Sequence, residues 1–279
     1  MCPSPVKPGS SRGYLMPVGG AEEKGNNPSI LNRFVDICGG DKARIVIIPT
    51  ASRLPETGAM YADLFLDLGV ERALFTDINE RSDCDDELLL EEMDNATGIF
   101  VTGGNQLRLS GILGGTPVGQ RLRRLNAEGI PIAGTSAGAA MMSQHMIAGG
   151  ASGTSPREDG VNLAPGIGLT NTAIIDQHFS QRNRLGRLLT ALSYNPFLIG
   201  VGIDEDTAFL IDSDNVGEVI GSGVVTILDA SQLSHSSRSS ANSGAPLSLI
   251  DIRLHVLAQG CKYNMQTREV SLSNDEVPA

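Results

Sequence analysis

Short apolar runs rich in β-branched residues recur at 14–18, 45–48, 99–101, 130–133, 172–175, 200–203 and 208–211. Between the early ones lie stretches with helical spacing. Within 29–38, Ile30, Leu31, Phe34 and Val35 fall on one helix face, and Gly39-Gly40 stops the helix. Residues 56–68, 85–93 and 118–128 follow the same pattern. A run without polar alternation is a strand buried on both faces. This order therefore specifies an α/β fold, a mostly parallel sheet with helices on both faces. The last third changes character. Residues 216–220, 224–228 and 249–256 read as antiparallel strands, the last with Ile250, Ile252, Leu254 and Val256 alternating against Asp251, Arg253 and His255. Two stretches read as loops: 148–166, a candidate lid or substrate loop, and the Ser-rich 231–243, a solvated surface loop. Residues 14–279 are expected to form one domain, preceded by a flexible N-terminal segment, 1–13.

In parallel sheets, sites gather at the carboxyl ends of the strands. Those ends here carry small and polar residues: Gly19-Gly20, Pro49-Thr50-Ala51-Ser52, Thr102-Gly103-Gly104-Asn105 and Gly134-Thr135-Ser136. Bulk properties narrow the chemistry. With 41% hydrophobic and 19% charged residues the chain has the makings of a folded globular protein. A net charge of −11 repels phosphate backbones, so no nucleic-acid partner is expected. The four cysteines are widely spaced and form no CxxC pair, which argues against a zinc site or a disulfide framework. The apolar runs are far too short to cross a membrane, and the polar, Pro-rich opening does not resemble a signal peptide. The expected location is cytoplasmic.

A serine hydroxyl attacks carbonyls only when it is exposed beside a base. Gly134-Thr135-Ser136-Ala137-Gly138 is a G-x-S-x-G elbow with a strand before it and a helix, 137–144, expected after it, which makes Ser136 the candidate nucleophile. Of the four histidines, His145 falls in that expected helix, His235 in the Ser-rich loop and His255 on the polar face of a strand. His178 follows an apolar run and precedes the helical stretch 181–192, so it is the candidate base. The orienting carboxylate is expected in Asp204-Glu205-Asp206, at the end of the 200–203 strand; spacing alone leaves all three open. The Ala137 N–H and a backbone N–H in the Gly103-Gly104-Asn105 loop, with Gly104 the candidate, are the expected oxyanion donors. The order Ser, His, carboxylate differs from the α/β-hydrolase order, in which the histidine comes last.

Six blocks together resemble cyanophycinase: Gly19 to Lys24, Thr102 to Leu109, Gly134 to Ala140, Asp176 to Arg187, Gly202 to Thr207 and Ala245 to Leu249. The resemblance spans nearly the whole chain. It implies a flavodoxin-like, class I glutamine-amidotransferase-like fold, no metal or cofactor, a homodimer, and a Ser136-His178-Glu205 triad. It also implies hydrolysis of cyanophycin, a poly-aspartate whose side-chain carboxyls carry arginine, to β-aspartyl-arginine dipeptides. Such a substrate presents guanidinium and carboxylate groups. Gln106, Asp176 and Gln177 are candidates for the first, and Arg182, Arg184 and Arg187 for the second, with Arg184 and Arg187 on one helix face. Asn105 stands where the family pattern leads us to expect Asp. The rival readings are an aspartyl dipeptidase with the same triad and a non-catalytic binding protein whose Ser136 caps a helix.

Overall fold

The apolar runs build two sheets in the computed structural model, which describes residues 2–273. Residue 1 of the expected N-terminal segment and residues 274–279 of the expected domain lie outside the described residues. The first half supplies β1 (Leu15–Val18), α1 (Ser29–Ile37), β2 (Arg44–Ile48), α2 (Thr57–Asp67) and β3 (Arg72–Phe75). It continues with α3 (Glu87–Asp94), β4 (Gly98–Val101), α4 (Gln106–Leu113), α5 (Pro117–Ala127) and β5 (Ile132–Thr135). Then come α6 (Ala137–Ala140), the hairpin β6 (His145–Gly150) and β7 (Val161–Pro165), and β8 (Ala173–Gln177), α7 (Leu185–Tyr194) and β9 (Ile199–Ile203). The remainder is β10 (Thr207–Ile211), β11 (Val216–Gly221), β12 (Val225–Asp229), β13 (His235–Ser236) and β14 (Leu249–Ile250). Last are β15 (Arg253–Leu257), β16 (Lys262–Asn264) and β17 (Glu269–Ser271).

The larger sheet runs β17-β16-β11-β10-β1-β5-β4-β2-β3. From β1 to β3 neighbouring strands are parallel, and from β1 to β17 they are antiparallel. Of the expected C-terminal antiparallel strands, 216–220 joins this sheet as β11, whereas 224–228 (β12) and 249–256 (β14 and β15) do not, and the run at 208–211 lies antiparallel beside β1 as β10. The runs at 172–175 and 200–203 do not join this sheet either. They become β8 and β9 of a second sheet, β15-β12-β9-β8. An apolar pattern reports burial on both faces but not which sheet a strand enters.

Three apolar clusters fix the layers. Met16, Val18, Ile45, Ile47 and Phe100 pack one face of the large sheet onto α1 and α2 through Phe34, Tyr61 and Phe65. The other face meets α5 and α6 together with the small sheet, where Leu15, Ile48 and Ile99 join Ile175, Val201 and Ile227. The far face of the small sheet is covered by α7 through Leu188, Ala191 and Leu192. Among the described residues, no helix is long and apolar enough to cross a membrane.

Three expectations change. The helix after the elbow stops at Ala140, because the carbonyls of Met141 and Met142 accept hydrogen bonds from Ile167, Leu169 and Thr170, which pull the chain out of the helix. His145 thus opens a strand. The expected loop 148–166 contains most of the hairpin, whose connecting turn lies against the start of α7: Gly153 N–H donates to Asn183 O, and Gly186 N–H to Gly153 O. The expected strand 249–256 breaks at Asp251, which has φ 67°.

Candidate active site

Ser136 sits immediately after β5 with φ 52° and ψ −107°, a backbone conformation that L-residues disfavour by about 1–3 kcal/mol. Small neighbours make the turn feasible. A Cβ on Gly134 would lie 2.6 Å from the Gly138 backbone, and one on Gly138 2.3 Å from Val101 O. Ser136 Oγ lies 3.0 Å from His178 Nε2, and His178 Nδ1 lies 2.6 Å from Glu205 Oε1. Hydroxyl, imidazole and carboxylate thus form one continuous relay. Ser136 Oγ also lies 3.3 Å from Gln177 Oε1.

The three acids that spacing left open point three ways. Asp204 accepts the Ser180 N–H at 3.0 Å, and Asp206 accepts the Glu23 N–H and the Ser222 hydroxyl. Only Glu205 reaches the imidazole. Burial pulls the His178 pKa below its ordinary value of 6.5. The Glu205 hydrogen bond and charge push it back up, while Arg182 and Arg184 add to the lowering.

The end of β1 holds the relay together. The consecutive carbonyls of Val18, Gly19 and Gly20 accept the N–H groups of Ser136 (2.9 Å), His178 (2.8 Å) and Asp206 (2.8 Å). Glycine is required at two of these positions. A Cβ on Gly19 would lie 1.9 Å from Asp204 O, and one on Gly20 2.4 Å from the His178 ring. Sequence reasoning picked out this Gly pair as part of a rim and of the block Gly19 to Lys24, without assigning its carbonyls a role.

The Gly103-Gly104 loop approaches from the β4 side. A Cβ on Gly103 would sit 3.3 Å from Ser136 Cβ, and Gly104, with φ 143°, is pressed against the Ala51 carbonyl. Asn105 caps α4: its side chain accepts the Arg108 N–H at 3.0 Å, a task an aspartate would perform equally. Gln106 donates to Ala148 O at 2.9 Å, tying α4 to the hairpin.

The expected substrate arginines divide. Arg184 and Arg187 do not share a helix face as their spacing implied, but they share a partner, Asp176, which is 1% exposed. Arg187 Nε donates to Asp176 Oδ2 at 2.7 Å, and its terminal nitrogen contacts Oδ1 at 2.5 Å. Arg184 contacts Oδ1 at 3.4 Å, donates to the Gln177 carbonyl, and precedes α7 instead of lying within it. Burial pushes the Arg184 pKa down to about 10. Arg182 is exposed.

The model of peptidase family S51 matches residues 14–219. The chain belongs to peptidase family S51. It is therefore a serine-type peptidase, and the relay lies within the matched residues. The sequence is 41% identical to the cyanophycinase of Trichormus variabilis over 265 residues, 94% of this chain and 89% of that protein. It is 43% identical to the cyanophycinase of Geminocystis herdmanii over 260 residues, 92% and 96% of the two chains. A crystal structure of a peptidase from an acI-B1 Actinobacterium superposes with a TM-score of 0.61 at 22% identity, covering 88% of this chain and 98% of that one, which bears on the fold alone. The flavodoxin-like family fold is thus present, carrying the antiparallel C-terminal extension.

Proposed function

We propose that this chain is a serine exopeptidase that hydrolyses the poly-aspartate backbone of cyanophycin to β-aspartyl-arginine dipeptides. The observation that carries the reading is the relay from Ser136 through His178 to Glu205, in a chain more than 40% identical to cyanophycinases. Neutral His178 takes the hydroxyl proton through Nε2 as Ser136 Oγ attacks the scissile carbonyl carbon. Glu205, held on Nδ1, stabilises the imidazolium so formed. The oxyanion is received by the N–H groups of Ala137 and Gly104. The imidazolium then returns its proton to the leaving amine, and water repeats the path to release the acyl group. Arg182, exposed and near enough to lower the His178 pKa, is the guanidinium assigned to a substrate carboxylate, while Gln177, beside the Ser136 hydroxyl, and Gln106 are assigned to the substrate guanidinium. Asp176, Arg184 and Arg187 act on substrate through the shape they give the site wall.

Incubation with purified cyanophycin and, separately, with Asp-X dipeptides tests the reading by mass analysis of products. Release of β-aspartyl-arginine from polymer is expected. Cleavage of the dipeptides alone would make the chain an aspartyl dipeptidase, and cleavage of neither would end the proposal.

The pH profile has a determined sign. The base must be neutral, so kcat/KM falls as pH drops through the His178 pKa, and the acid limb lies below 6.5. Glu205→Gln removes the charge that raises this pKa and leaves a weaker, uncharged acceptor for Nδ1–H, while burial remains. Its acid limb is expected to move to lower pH, with kcat reduced about 10²- to 10⁴-fold. A limb that stays in place would show that Glu205 does not act on His178.

The cytoplasmic homodimer stays part of this reading. The dimer, though not its location, is supported by edge strand β15, whose Leu254 and Val256 are 49% and 58% exposed. Sedimentation of a Leu254→Lys variant as monomer, against a dimeric wild type, is the expected result.

A further inference from the structure

Beneath the elbow lies a buried carboxylate that the relay does not use. Glu22 is 4% exposed. Its Oε2 accepts the Thr135 hydroxyl at 2.5 Å, and its Oε1 accepts the Tyr61 hydroxyl and lies 3.1 Å from Lys24 Nζ. Lys24 Nζ in turn stands 5.3 Å from the centre of the Tyr61 ring. Burial first, and then the charge of Glu22, hold the Tyr61 pKa far above its ordinary range, so Tyr61 remains a donor. Removing a carboxylate from water is strongly unfavourable unless partners replace the hydration. A residue serving packing alone would be apolar here, since the ring of Tyr61 already lies against Phe100 and Phe65.

The position of this carboxylate suggests its use. Thr135 directly precedes Ser136, and Glu22 lies two residues beyond Gly20. The strained elbow is therefore gripped on both sides by one short segment: Val18 O holds the Ser136 N–H, and Glu22 holds the Thr135 hydroxyl. Between these grips, Gly19 O and Gly20 O hold the His178 and Asp206 N–H groups, and Glu23 N–H donates to Asp206 Oδ1 at 2.9 Å. We propose that Glu22 is a positioning residue. By clamping the outer end of this segment to the strand that carries Ser136, it sets the distance between the Ser136 hydroxyl and the His178 imidazole. The inference rests on the reading of Ser136 as nucleophile.

The test reads the rate at which a fluorophosphonate reagent phosphonylates Ser136, its oxygen displacing fluoride at phosphorus, which requires the relay but no polymer. Wild type must label for the nucleophile reading to stand, so its failure is separate from failure of this inference. For Glu22→Gln, which keeps the size but has one acceptor oxygen for two hydroxyl donors, labelling and kcat are expected to fall together by about 10- to 100-fold, with KM changed by less than about threefold. The comparison is made per folded molecule, below the melting transition. Thr135→Val is expected to reproduce the loss, and Thr135→Ser, which keeps the hydroxyl, to stay within about threefold of wild type. This second pair decides the matter if Glu22→Gln does not fold. A variant that melts earlier yet labels at the wild-type rate would mark Glu22 as structural and overturn the proposal. So would equal losses for Thr135→Val and Thr135→Ser.

Discussion

Ser136→Ala is expected to lower cyanophycin hydrolysis by roughly 10⁴-fold or more, because the remaining imidazole and carboxylate have no hydroxyl to activate. The same variant loses fluorophosphonate labelling altogether, whereas wild type labels once per chain. Retained activity in Ser136→Ala would refute the proposed mechanism whatever the substrate. Stability responds in the opposite sense at this residue. The backbone at φ 52° and ψ −107° is one that glycine tolerates better than any residue with a Cβ. Ser136→Gly is therefore expected to be inactive yet at least as stable as wild type, by thermal melting. A marked drop in its melting temperature would show that the turn is not strained.

The largest effect on stability is expected from Arg187→Met. Asp176 is almost fully enclosed, and Arg187 supplies two of its contacts; without them a buried carboxylate keeps the Gln177 N–H and, for its charge, only the longer contact to Arg184. Breaking such a pair costs about 3–5 kcal/mol. For a domain of this size that corresponds to a fall of roughly 6–20 °C in Tm. Arg182→Met, at an exposed position, is expected to change stability by less than about 0.5 kcal/mol and to act on KM for polymer. If Arg187→Met melted like wild type but bound polymer poorly, Arg187 would be a substrate contact and Asp176 would have another partner. The contrast between these two variants separates a guanidinium that holds the wall from one that faces the substrate.

Much of the parallel core was legible because its strands are covered on both faces, which leaves uninterrupted apolar runs such as Ile45 to Ile48. The edge strand β3, Arg72-Ala-Leu-Phe75, has no such run, since its flanks remain half-exposed. The β6–β7 hairpin was hidden by glycine, and α4 by its short length and mixed faces. Near Ser136, position along the chain was enough to select His178, because strand ends are where a base can meet an elbow. It was not enough to choose among Asp204, Glu205 and Asp206, whose directions depend on a turn with φ 48° at Asp206. The i,i+3 spacing of Arg184 and Arg187 implied one helix face, but Arg184 lies just before α7, and the two meet through Asp176. Spacing is silent on whether such side chains point outward or to a buried partner. Glu22 stands within the block Gly19 to Lys24 of the family resemblance, but Tyr61 and Thr135 are too distant in sequence to suggest its partners.

The three carbonyls at the end of β1 also bear on when the enzyme can first cut. Ser136 belongs to the large sheet, whereas His178 and Glu205 follow strands of the small one, and β10, which flanks β1, is made after both. A nascent chain folded only through β5 would carry the strained serine without a base. The base and its carboxylate reach the serine only as the second sheet docks and their neighbouring N–H groups find Gly19 and Gly20. Assembly of the relay is thereby deferred until β8 and β9 have been made and docked against the large sheet.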